Sequence, residues 1–99
     1  MTSLGHIAEK IRSKNAGPFW VTVDVFCGNA EAYARVVADL QTERVASVFQ
    51  TEPAFIKRFD MADLCVVKFS LPRPVTQGAI ADRDMHGAGW AVLLSEIEI

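Results

Sequence analysis

At 99 residues, 51% hydrophobic and 22% charged, the chain has room for one domain with one core and is too apolar to remain disordered. Its formal net charge is −2, with ten Lys and Arg scattered among twelve acids, which argues against a nucleic-acid binder, since such a protein normally carries a basic face. No stretch approaches the ~18 apolar residues of a membrane span, and no basic-then-apolar leader opens the sequence. The expectation is a soluble cytoplasmic domain that binds neither nucleic acid nor membrane.

A chain of this size buries only about 60–70% of the surface its unfolded form exposes. The high apolar content therefore predicts some apolar surface left for a partner to cover. The segment from Leu4 to Arg12 fits two patterns. Leu4, Ile7, Ala8 and Ile11 match a short helix face, while Ile7, Glu9 and Ile11 match alternation. Ser13-Lys14-Asn15-Ala16-Gly17-Pro18 then reads as a turn.

From Phe19 to Cys27 the alternation is unbroken. Phe19, Val21, Val23, Val25 and Cys27 fall on one side, and Trp20, Thr22, Asp24 and Phe26 on the other. Both sides carry β-branched or aromatic residues, which places this strand centrally. Asp24 must face solvent or find a donor such as Lys68, because burying a lone charge is costly. Asn29 can cap a helix whose stripe is Tyr33, Val36, Val37 and Leu40. A second start at Thr42, with Val45, Val48 and Phe49, predicts two short helices or one bent near Gln41.

Pro53 stops that helix. Phe55 to Asp60 reads as a weaker strand, and Met61-Ala62-Asp63 links it tightly to a strand over residues 64–71. There Cys65, Val67, Phe69 and Leu71 oppose Leu64, Val66, Lys68 and Ser70, so the two runs form an antiparallel hairpin. Pro72-Arg73-Pro74 ends it, and a polar loop follows. Asp84 can cap a last helix with Trp90, Val92, Leu93 and Leu94 as apolar positions, and Glu96-Ile97-Glu98-Ile99 closes as a short alternating strand. From Phe19 the order is strand, helix, strand, strand, helix, strand. That order predicts an α+β ferredoxin-like sandwich (βαββαβ) over residues 1–99, with an extra N-terminal segment and helices on one face of an antiparallel sheet.

Chemistry concentrates at residues 12–17. Arg12, Ser13, Lys14, Asn15 and Gly17 precede the central strand, and cations with turn N–H groups can hold a phosphate or carboxylate. A solvated turn is the plainer alternative. Arg73, stiffened between two prolines, is a further candidate for the same anion site. His86, beside Asp82 and Asp84, is the candidate acid/base group, with a capping role as its alternative. Cys27 and Cys65 read as small core residues, Trp20 and Trp90 as core or interface anchors. No histidine or cysteine stands at metal-ligand spacing, no cofactor motif is present, and no catalytic set is legible.

Three segments carry a resemblance. They are Ile11-Arg12-Ser13-Lys14-Asn15-Ala16-Gly17-Pro18, Lys68-Phe69-Ser70-Leu71-Pro72-Arg73-Pro74 and the closing Leu93-Leu94-Ser95-Glu96-Ile97-Glu98-Ile99, with a shorter match at Thr42-Glu43-Arg44-Val45. Through them the chain resembles a family of small proteins of unknown function. That family is similar to the ferredoxin-like C-terminal domain of acyclic terpene utilisation protein A (AtuA), and its members are fused to the larger protein or encoded beside it. In the larger relatives the first segment has an Arg-Ser-Gly-Asp-Lys-Gly character, from which Lys14-Asn15-Ala16 departs. The resemblance implies an accessory subunit in the catabolism of acyl compounds such as CoA thioesters, partnering a larger AtuA-like protein, with a small acyl or carboxylate ligand. Two other readings stand beside it. One is a stand-alone lyase or hydratase using Arg12, Lys14 and His86; the other is a homo-oligomeric binding module formed by self-association of the sheets.

Overall fold

The computed structural model describes residues 2–17, 19–72 and 89–99. In chain order these form α1 (Leu4–Ile7), β1 (Lys10–Asn15), β2 (Trp20–Phe26), α2 (Ala30–Asp39), α3 (Thr42–Phe49), β3 (Lys57–Met61), β4 (Val66–Pro72) and α4 (Gly89–Ser95). The strands make one antiparallel sheet in the order β1-β2-β4-β3. Helix α2 packs on β4, and α4 packs on β1 and β2. This is the expected α+β, ferredoxin-like arrangement, with β2 and β4 as its central pair.

Alternation decides which side of the sheet is dry. The register sets Val21 opposite Leu71, Val23 opposite Phe69 and Val25 opposite Val67. All six are fully buried on the helix side. Each such side chain removed from water contributes about 1.5–3 kcal/mol, so this double row holds the sheet to its helices.

The helices supply the other half of the core. The Asn29 side chain accepts the Ala32 N–H at 2.8 Å and so starts α2. Val36 and Leu40 face the sheet, and the chain bends at Gln41 before α3 buries Val45, Ala46 and Phe49. The last carbonyls of α2 have no partner within the helix. Arg58, on the helix side of β3, donates to the carbonyls of Leu40 at 2.6 Å and Val37 at 3.4 Å. Its Nε also bonds Asp60 at 2.9 Å, so one guanidinium ties an edge strand to a helix end. The sequence pattern gave no hint of this role.

At the N-terminus both patterns are realised in turn. Leu4–Ile7 is helical, and the chain then extends from Lys10. The predicted turn is shorter than expected, because residues 12–15 belong to β1 and only 16–19 separate it from β2. The Ala16 N–H donates to the Trp20 carbonyl at 2.9 Å, and Gly17 adopts φ +83°, a conformation that side chains disfavour. Since β1 takes the edge beside β2, the closing residues do not join the sheet. They pair with the N-terminus instead, through the Ser3–Glu98 bridge and the Leu4 N–H to the Ile97 carbonyl at 2.6 Å. Arg35 and Arg44 donate to the carbonyls of Ile99 and Glu98 and hold that end against α2 and α3. Ile97 and Ile99 are both buried, as their alternation predicts.

Helix α4 differs from its predicted face. Ala91 and Leu94 are buried and Trp90 packs edge-on against Phe49 at 5.1 Å, whereas Val92 and Leu93 are exposed. The predicted Asp84 cap lies outside the described residues. Among the described residues no helix is long and apolar enough to cross a membrane.

Candidate functional site on the open sheet face

The side of the sheet opposite the helices carries every second residue of each strand. Register aligns these residues in rows across all four strands. One row is Lys14, Thr22, Ser70 and Lys57; the next is Arg12, Asp24, Lys68 and Phe59; the third is Lys10, Phe26, Val66 and Met61. Trp20 and Pro72 pair beyond the first row. Two contacts agree with this placement. The Lys10 ammonium lies 4.9 Å from the centre of the Phe26 ring, and that of Lys57 lies 5.7 Å from the centre of Trp20.

Charge is sharply divided by this face. Lys10, Arg12, Lys14, Lys57 and Lys68 project from it beside a single acid among the described strand residues, Asp24, although the whole chain has net charge −2. All four lysines of the chain are among them. Arg12, Lys14 and Lys68 make no hydrogen bond or ion pair among the described residues. Asp24 is half-buried between Arg12 and Lys68 in register, without an ion pair to either. Trp20 and Phe59 expose 39% and 48% of their surface, leaving large apolar groups among the cations.

One polar group here is anomalous. Thr22 is only 7% exposed, and its Oγ1 has no hydrogen-bond partner among the described residues. An unsatisfied buried hydroxyl costs about 1–3 kcal/mol, so native proteins rarely keep one without a use. Ser70, directly across from it, makes no side-chain hydrogen bond among the described residues either.

The residues singled out from sequence divide between two surfaces. Arg12 and Lys14 reach the open face together. Ser13 and Asn15 alternate to the helix side, where Ser13 Oγ accepts the Ala91 N–H at 2.9 Å in the first turn of α4. Gly17 stays in the exposed turn. Arg73 and His86 lie outside the described residues. Sequence reasoning did not name Lys10, Lys57, Thr22, Lys68 or Ser70 as site residues. Alternation had already put Thr22, Lys68 and Ser70 opposite the apolar face, but only register brings them beside Lys14 and Lys57.

Elsewhere the chemistry is thinner. A shallow hollow of about 480 Å³ between α1 and α4 is lined by Ser3, His6 and Glu96 among others. Ser3 Oγ and His6 Nδ1 are 3.0 Å apart, but Glu96 makes no hydrogen bond to the imidazole, so no oriented nucleophile–base set forms there. Both cysteines are free, and the Cys27 N–H donates to the Cys65 carbonyl at 2.8 Å. Burial, with the neighbouring Cys65 adding to it, pushes the Cys27 thiol up to about 11, so it is inert as a nucleophile near neutral pH. Among the described residues no group of three or more His, Cys, Asp or Glu can hold a metal ion.

A family model described as a domain of unknown function, DUF4387, matches residues 4–98. The chain belongs to the DUF4387 family. The match takes in all four strands and α1 to α4, so the open face of this DUF4387 member lies wholly within the family domain. No curated protein and no solved structure matches the chain.

Proposed function

We propose that this DUF4387 domain is an accessory small subunit or domain that docks, through its open sheet face, on a larger AtuA-like protein of acyl or acyl-CoA catabolism. In that assembly Arg12 and Lys14 contribute to a joint anion site. The observation that carries this reading is the gathering of five cations and two exposed aromatics on one face of a chain that is acidic overall. Aromatic groups set among charges suit a protein interface, with the rings as anchors and the cations setting orientation. The occupant is an acidic, partly apolar surface. A second copy fits less well, because pairing two identical faces brings like charges together.

Co-expression with a large AtuA-like protein from the same organism tests the reading. The two chains are expected to co-purify, and the double variant Arg12→Glu/Lys68→Glu is expected to release the small one without unfolding it. Wild-type chain that elutes as a monodisperse monomer, with the large protein in a separate peak, would refute docking.

A further inference from the structure

The two edges of the sheet carry opposite kinds of sequence. Along β1, Lys10, Arg12 and Lys14 stand at alternate positions on the open side. Two copies paired antiparallel along β1 oppose cation to cation in every register that keeps the faces matched, which protects that edge. Along β3, Lys57-Arg58-Phe59-Asp60-Met61, the charges are mixed. Lys57 does not screen this edge, because its ammonium leans inward to the ring of Trp20 on β2, two strands away.

The hydrogen-bond phase leaves β3 open at two residues. The Cys27 N–H donates to the Cys65 carbonyl at 2.8 Å, so alternate residues of β4 counted from Cys65 bond to β2. Val66, Lys68 and Ser70 therefore bond to β3, and their partners Met61, Phe59 and Lys57 turn their backbone groups inward. Arg58 and Asp60 turn theirs outward, where they meet no backbone partner among the described residues.

We propose that β3 is the pairing edge for a second copy of this chain, antiparallel about a two-fold axis at Phe59. Faces match across such an axis only when opposed residues share parity, because successive side chains alternate. Centring on Arg58 opposes two guanidinium groups, and centring on Asp60 opposes two carboxylates. Centring on Phe59 sets Arg58 opposite Asp60 of the second copy twice over, Phe59 against Phe59, and Lys57 against Met61. Each Arg58–Asp60 pair exchanges both of its outward backbone bonds, so the seam closes with the charges complementary.

Exposed apolar surface agrees with this register. Phe59 is 48% exposed, and Phe55 and Leu64, at 57% and 69%, flank β3 at its opposite ends. Antiparallel pairing carries each Phe55 to the Leu64 end of the other copy, where Asp60, Met61, Ala62 and Asp63 line a hollow of about 470 Å³. A five-residue seam is short against the ~1,600 Å² of a standard interface, so the dimer depends on concentration. Pairing by the edge leaves the two cationic faces side by side on one continuous sheet, and docking stays open to both.

Sedimentation equilibrium of the 99-residue chain over a wide range of concentration tests the proposal. The average mass is expected to climb from monomer toward dimer. Asp60→Lys opposes cations at both pairs and is expected to weaken association at least tenfold. Asp60→Pro removes only an outward N–H, a change that an edge strand tolerates, and is expected to do the same. Phe59→Cys puts two thiols at an opposed pair about 4.5 Å apart between Cα atoms, within disulfide reach. It is expected to give a linked dimer under mild oxidation, whereas Lys57→Cys, four residues out of register with its own copy, is not. A monomer at every concentration, equal cross-linking of the two cysteine variants, or Asp60→Lys dimerising like wild type would overturn the proposal. If wild type stays monomeric and Asp60→Pro loses capture by the large AtuA-like protein, the edge takes a strand of that protein and self-pairing is refuted. A monomer with capture intact in every variant refutes this proposal alone, because docking engages the open face.

Discussion

The two faces of the sheet use the same strands and opposite physics. On the helix side Val21, Val23, Val25, Val67, Phe69 and Leu71 are fully buried, and the cations found there are arginines. Arg35, Arg44 and Arg58 each spend their guanidinium on backbone carbonyls. On the open side all four lysines stand beside exposed Trp20 and Phe59. A planar fork of five donors suits a fixed structural bond, and a mobile ammonium suits a ligand or partner that arrives later. The division teaches that the charges of this small domain are of two kinds, one holding the fold and one left available.

Substitutions that swap faces should expose the difference most strongly. Phe69→Ala removes a fully buried ring and is expected to cost about 3–5 kcal/mol in urea unfolding. Phe59→Ala, on the open side, is expected to cost less than about 1 kcal/mol, because its ring is already half in water. Comparable losses for the two would mean that the open face is covered by the chain itself.

Next in size is Arg58→Ala. It strips the carbonyls of Leu40 and Val37 of their donor at the α2 end, and a loss of about 2–3 kcal/mol is expected. Lys68→Ala, a cation on the open face of the neighbouring strand, is expected to change stability by no more than about 0.5 kcal/mol. Urea midpoints for the pair measure the contrast directly.

A pH series probes the buried face without altering its shape. The Cys27 thiol is held near 11 in the folded chain against an ordinary value of 9.0. Unfolded chains therefore release this proton first as pH rises, so the contribution is complete below pH 9 and is lost as pH climbs toward 11. The loss reaches about 1.4 kcal/mol by pH 10. Unfolding curves of wild type and Cys27→Ala at pH 8, 9 and 10 should converge by that amount, and parallel curves would remove Cys27 from the account.

The smallest contrast lies within one strand. Ser13→Ala loses the bond to the Ala91 N–H, and about 1 kcal/mol is expected to go with it. Lys14→Ala, one residue along and on the opposite face, is expected to leave the thermal midpoint unchanged. A scanning calorimeter resolves the two.

Much of this frame was legible in the sequence, and the exceptions have physical causes. The central strands announce themselves because apolar residues recur at every second position from Phe19 to Cys27 and from Cys65 to Leu71; Val21 to Cys27 and Val67 to Leu71 are buried at those positions, whereas Phe19 lies exposed before β2. The elbow at Gln41 and the buried pair Ile97 and Ile99 follow from spacing in the same way. β1 was hidden because Arg12-Ser13-Lys14-Asn15 is polar throughout. It is a strand by virtue of its pairing with β2, a tertiary effect that local propensity does not carry. The cationic cluster was visible as composition, but its division between Arg12 and Lys14 on one face and Ser13 and Asn15 on the other depends on that strand. Thr22 and Lys57 are 35 residues apart, and register alone brings them into one row.

Because every lysine of the chain projects from the open face, acetylation footprinting reads that surface with four reporters and no background from the helix side. The complex with the large AtuA-like protein, labelled briefly and analysed by mass spectrometry, should show Lys10, Lys14, Lys57 and Lys68 protected relative to the free chain. A captured chain in which all four lysines react as fast as they do alone would place the contact elsewhere and contradict the role assigned to this face.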